Sequence, residues 1–181
     1  MKIYILLAEG FETIEAMAPI DVFRRAGVNI ESISITDSPI VLSSQGVETK
    51  ADRILKETDM DEGDALILPG GYPGYKNLAE SEEVGEIVKD YFKSGRVIGA
   101  ICGAPTVLAR YGVAKGYRVT SFHTTKEEMK DYIYTGKPVE QDRNIITAIG
   151  AGHAIDFGLA LLYSLQGGEK VAAVKAGMEL A

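Results

Sequence analysis

The sequence predicts an α/β fold, a mostly parallel central sheet with helices packed on both faces. Three observations carry the prediction. Short β-branched runs alternate with amphipathic segments, glycines stand at most of the joints, and residues 3–8 are apolar without a break. A continuous apolar run marks a strand buried on both faces, whereas a strand with one wet face alternates. The length of 181 residues predicts one domain spanning 1–181, and a hydrophobic content of 46% supplies its core.

Residues 3–8 form the first strand, and 13–26 read as a helix stopped by Gly27, with Pro19 a place for a kink. A second strand follows at 28–36. Residues 40–44 and 47–50, joined across Gln45-Gly46, predict a β-hairpin. A short buried strand at 65–68 runs into Pro69-Gly70-Gly71. Helical periodicity is clearest at 81–93, where Val84, Ile87, Val88, Tyr91 and Phe92 recur on one face and Gly95 lies just past the end. The strand at 97–101 leaves Cys102 as the residue immediately after it. Gly103-Ala104-Pro105 opens a helix to Tyr111, with proline suited to the first turn. Residues 118–121 read as a strand, 125–132 as a short helix, and 145–148 as a strand preceded by the turn Asp142-Arg143-Asn144. An apolar-faced helix at 154–165 follows Gly150-Ala151-Gly152, and the end from Glu169 onward is helical too.

Composition narrows the function. Nineteen basic and 26 acidic residues give a net charge of −7, which repels phosphate backbones and anionic lipid, so neither nucleic acid nor a membrane is an expected partner. With Cys102 the only cysteine, no intrachain disulfide forms and a zinc site built on several thiolates is excluded. Two histidines supply metal chemistry poorly, and no metal is expected. The apolar start ends at Glu9, too short for a signal segment or a membrane span, and a cytoplasmic location is expected.

In an open parallel sheet, ligands gather beyond the carboxyl ends of the strands. Residues 9–15, Gly70-Gly71, Cys102-Gly103 and His123 fall there. Cys102 sits between a strand and a helix among small neighbours, and the partial positive charge of a helix start favours its thiolate. A lone cysteine at such a place is equally a small buried hydrophobe. Gly70-Gly71 could aim main-chain N–H groups at a developing oxyanion, or serve only as a turn. Glu15 shares a helical stripe with Pro19, Val22 and Ala26, where desolvation raises a carboxyl pKa; as a first-turn glutamate it could equally face water. His123 and His153 both follow strands and, read alone, are surface or cap residues as readily as proton carriers.

Together, Leu7-Ala8-Glu9-Gly10-Phe11-Glu12-Thr13-Ile14-Glu15, the run from Pro19 to Gly27, Leu68-Pro69-Gly70-Gly71 and Ala100-Ile101-Cys102-Gly103-Ala104-Pro105 resemble the ThiJ/PfpI superfamily. The likeness is strongest to its small single-domain group, that of the Parkinsonism-associated protein deglycase. It implies a flavodoxin-like three-layer sandwich, a homodimer and a reactive cysteine. Carried over by position, Cys102 is the nucleophile, Glu15 the carboxyl that hydrogen-bonds it, and Gly70, Gly71 and Gly103 the backbone donors; His123 is the candidate site histidine, and Phe122, His153 and Arg25 are candidate pocket residues beside the matched motifs. Two anions in contact are not both stable, so Glu15 beside a thiolate is expected to be protonated and to donate to sulfur.

The chain also departs from the family pattern. Gly103 stands where the peptidase-like branch places a histidine, the family histidine falls one residue before His123 at Phe122, Gln45 replaces a basic residue, and His153 replaces a hydroxyl residue. The resemblance implies a cofactor-independent action on α-oxoaldehydes, turning methylglyoxal into lactate, or on their early adducts with protein side chains. The alternative is a redox sensor or stress chaperone working through oxidation of Cys102. Glutamine hydrolysis ranks below both, because the residues after His153 are Ala154-Ile155-Asp156 rather than a His-x-Glu partner.

Overall fold

A computed structural model describes residues 1–180 of the chain. In chain order its strands are β1 (Lys2–Leu7), β2 (Asn29–Ser34), β3 (Ile40–Leu42), β4 (Glu48–Lys50), β5 (Arg53–Ile54), β6 (Ala65–Leu68), β7 (Val97–Ile101), β8 (Arg118–Val119), β9 (Ile133–Tyr134), β10 (Val139–Asp142) and β11 (Ile145–Ala148). The α-helices are α1 (Thr13–Arg25), α2 (Gly74–Glu80), α3 (Glu82–Lys93), α4 (Pro105–Arg110), α5 (Ala154–Gln166) and α6 (Gly168–Gly177). Seven strands make one sheet in the order β10-β11-β7-β6-β1-β2-β5, parallel throughout except for β10, which pairs antiparallel with β11.

The alternation of side chains along each strand divides the core in two. Ile3, Ile5 and Leu7 of β1 point to a layer with Phe23 of α1 and Phe157 and Leu161 of α5. Tyr4, Leu6 and Ala8 point the other way, to Val84 and Val88 of α3 and Leu108 of α4. Both faces of β1 are thus dry, as its unbroken apolar run predicts. This is the expected three-layer arrangement. Among the described residues, no helix is long and apolar enough to cross a membrane.

Several elements differ from the sequence expectation. Helix α2 was not predicted: it buries only Gly74 and Leu78 and therefore shows no apolar stripe. The strand expected at 118–121 shrinks to two residues paired with β9, and the helix expected at 125–132 is a 3-10 helix, His123–Met129. Helix α1 runs through Pro19 to Arg25.

The sheet order reverses at β1, which lies between β2 and β6. The crevice beyond its carboxyl end is where such sheets bind ligands. The segments after β1, β6, β7 and β11 meet there, carrying Glu15, Gly70, Cys102 and Ala151.

Candidate active site

Cys102 continues β7 by one hydrogen bond, its N–H donating to the Ala148 carbonyl at 2.9 Å, while its own carbonyl accepts from Phe122 N–H at 2.8 Å. Between these anchors its backbone turns into the left-handed region, with φ of +63°. That conformation costs a non-glycine residue about 1–2 kcal/mol, a strain that persists where the surroundings enforce it.

Glu15 reaches the same point from α1. The Glu12 side chain caps that helix by accepting Glu15 N–H at 2.7 Å, which sets the first turn so that Glu15 faces inward. The residue is 1% exposed. Its Oε2 accepts Gly70 N–H at 2.9 Å, and the Ala151 N–H and the Cys102 thiol are near enough to the carboxyl to favour its charged form. Gly70 lies wedged between the pair: a Cβ there would stand 2.6 Å from Glu15 Oε2 and 2.7 Å from Cys102 Cβ. The backbone N–H groups of Gly71 and Gly103 are near enough to the sulfur to favour its charged form.

Burial raises the Glu15 pKa to about 7, helped by the nearby Glu12 carboxylate and opposed by the bonds from Cys102, Gly70 and Ala151. The thiol behaves differently from the sequence expectation of a thiolate favoured by the helix start. Burial and then the Glu15 charge and hydrogen bond push Cys102 up to about 12, against the smaller pull of the Gly103 and Gly71 N–H groups. Helix α4 has only six residues, which is little dipole to oppose that. The two groups therefore titrate together and hold one proton between them above about pH 7. A thiolate at Cys102 arises when that proton sits on Glu15.

A cavity of about 300 Å³ opens over the sulfur, lined by Tyr72, Tyr75, Phe122, Thr124 and Thr125 with Gly71 and Gly103. A second, of about 360 Å³, lies beyond Phe122 and is lined by His123, His153, Tyr134 and the Gly150–Gly152 turn. Phe122 is the wall common to both. Among the described residues, no cluster of three or more His, Cys, Asp or Glu is placed to hold a metal.

Residues 1–164 match the DJ-1/PfpI family. This chain belongs to that family. It is 37% identical to protein dj-1beta of Drosophila melanogaster, covering 98% of this chain and 96% of the other. It is 36% identical to a Caenorhabditis elegans protein named as a glutathione-independent glyoxalase, over 92% of this chain and 89% of that one. The crystal structure of the Drosophila protein superposes with a TM-score of 0.96 at 36% identity, over 99% and 98% of the two chains.

Within this DJ-1/PfpI chain the structure brings Cys102, Glu15, Gly70, Gly71 and Gly103 together and sets other expected residues apart. His123 lines the second cavity, not the one over the sulfur; it is Phe122, whose N–H is tied to the Cys102 carbonyl, that lines the thiol cavity. The His123 ring instead lies beside Phe122, with ring centroids 4.3 Å apart. His153 shares that second cavity, with Nδ1 3.5 Å from Asp156 Oδ2. Arg25 lines neither cavity: it stands at the far end of α1, paired with Asp21 at 2.7 Å and bonded to the Gly177 carbonyl. Gln45, in place of a basic residue, accepts hydrogen bonds from Thr13 N–H and Oγ1 and so secures the start of α1. Sequence reasoning missed Tyr72 and Tyr75, whose signal is proximity alone, one and four residues beyond Gly71.

Proposed function

We propose that this chain is a cysteine-dependent, cofactor-independent enzyme that converts α-oxoaldehydes to 2-hydroxy acids, methylglyoxal to lactate in the simplest case. The observation that carries the reading is the Glu15–Cys102 pair, a buried acid bonded to a thiol at the end of a parallel strand. The name of the C. elegans relative is in keeping with it.

The chemistry follows from one shared proton. With that proton on Glu15, the Cys102 thiolate adds to the aldehyde carbon, and the new oxyanion takes the proton from Glu15 while backbone N–H groups hold it. The Glu15 carboxylate then removes the hydrogen of that carbon and returns it to the neighbouring keto carbon. The hydroxyl proton on the first carbon passes to the second oxygen, leaving a lactyl thioester. Water attacks the thioester, Glu15 takes the water's proton, and the thiolate leaves, restoring the starting pair. One carbon is oxidised and its neighbour reduced, so no external oxidant enters.

Purified protein is therefore expected to form lactate from methylglyoxal without glutathione, and Cys102→Ala is expected to abolish it. The redox reading rests on the same thiol, and one solved relative, from Toxoplasma gondii, is described as oxidized. If peroxide oxidises Cys102 selectively while no oxoaldehyde is turned over, the sensor reading replaces the enzyme.

A further inference from the structure

We propose that the cavity over Cys102 selects α-oxoaldehydes carrying an aromatic substituent over methylglyoxal, with Tyr75 and Phe122 as the residues that set this preference. The inference rests on the glyoxalase reading above and narrows its substrate class.

Three aromatic side chains surround the sulfur: Tyr72, Tyr75 and Phe122. Two of them are held in place. The Tyr75 ring packs against Gly103, so closely that a Cβ there would stand 2.6 Å from it, and Phe122 is held at its main chain by the N–H bond to Cys102 and at its ring by contact with the His123 ring. Tyr72 and Tyr75 stand 6.3 Å apart at 60°, an aromatic pair against which a further ring can pack from the cavity side. Phe122 is 39% exposed and Tyr72 73%, so part of the Phe122 ring and most of the Tyr72 ring still meet solvent despite their contacts with His123 and Tyr75. A three-carbon aldehyde fills little of about 300 Å³, and its methyl group would leave these faces in water. An aryl ring on the keto carbon would cover them while its aldehyde carbon reaches the sulfur. The reaction balances as before: phenylglyoxal and one water give mandelate.

The test compares kcat/KM for phenylglyoxal and methylglyoxal, without glutathione, in the parent chain, Phe122→Ala and Tyr75→Leu. The expected result is a phenylglyoxal preference of at least about tenfold, as two aromatic contacts would provide, falling toward unity in each variant. A preference for methylglyoxal, or a ratio that neither substitution moves, overturns the proposal. Should neither aldehyde be turned over, the enzyme reading fails, and the aromatic site is judged by protection of Cys102 against iodoacetamide. Mandelate slowing alkylation at concentrations where lactate does not, with the effect lost in Phe122→Ala, supports it; equal protection by the two acids overturns it. Phe122, partly exposed, serves as the variant that keeps its fold if Tyr75→Leu does not.

Discussion

At the scale of single residues, Glu15 sets both the reactivity of the site and a cost to the fold. The free carboxyl ionises near 4.5 and the buried one near 7. Between those values the folded chain keeps a proton that the unfolded chain has released. Stability therefore falls as pH rises through that window, by about 3 kcal/mol at roughly 1.4 kcal/mol per unit. Glu15→Gln keeps an acceptor for Gly70 N–H and removes the charge. Urea unfolding is expected to show the variant gaining on the parent chain between pH 5 and pH 8, by most of that amount. The same substitution removes the group that moves protons, so kcat/KM for an oxoaldehyde is expected to fall at least about a hundredfold. The pH dependence follows from the shared proton. Below about 7 both groups are protonated, so alkylation of Cys102 by iodoacetamide should decline as pH falls through that value, and this inflection should vanish in Glu15→Gln. An unchanged profile in the variant would show that the carboxyl does not control the thiol.

At the scale of elements, the site depends on how closely the carboxyl ends of β6 and β7 approach α1. Gly70→Ala would force a methyl group between Glu15 and Cys102, and overpacking of this kind costs about 1–3 kcal/mol. Gly95→Ala makes a useful contrast: its φ is +73°, yet nothing lies within 4 Å of the added methyl. Both variants are expected to lower the melting temperature, but only Gly70→Ala should lose most of its turnover. The elements that build this approach are the ones the sequence reveals best. Residues 65–68, 97–101 and 145–148 are strands at the predicted positions, because each is a short uncharged run, apolar but for Gly99 and Thr147, inside the sheet. Their ends locate Gly70 and Cys102 almost automatically. Strand β10 escapes notice because Val139-Glu140-Gln141-Asp142 is an edge strand whose polar residues face water or the cations Arg118 and Lys137. His123 lies one cavity away from the sulfur, a placement that the sequence does not reveal. Chain position puts it beside a strand end, but of the two adjacent rings it is Phe122, whose main chain is bonded to Cys102, that lines the cavity over the sulfur.

At the scale of the whole molecule, the family resemblance implies a homodimer, and we propose that its surface would lie where α1 meets the hairpin. Ile14 is 55% exposed and Val47 47% exposed, on elements tied together by hydrogen bonds from Thr13 to Ser43 and Gln45. The exposed Leu42 on β3 adds to the apolar surface of these elements. A chain of net charge −7 gains nothing in solubility from such side chains, and a second copy is the partner that would cover them. In a two-fold interface each patch meets its own image, so one substitution acts twice. Ile14→Glu would bring two carboxylates into an interface that otherwise buries two isoleucines, leaving both charges desolvated and unpaired. Sedimentation equilibrium should give a dimer for the parent chain and a monomer for the variant at micromolar concentration, with the far-ultraviolet spectrum unchanged. Because Ile14 adjoins Glu15 on the first turn of α1, the monomer should also show a shifted pH profile for Cys102 alkylation. A parent chain that sediments as a monomer, or an Ile14→Glu variant that still pairs, would remove this face from consideration.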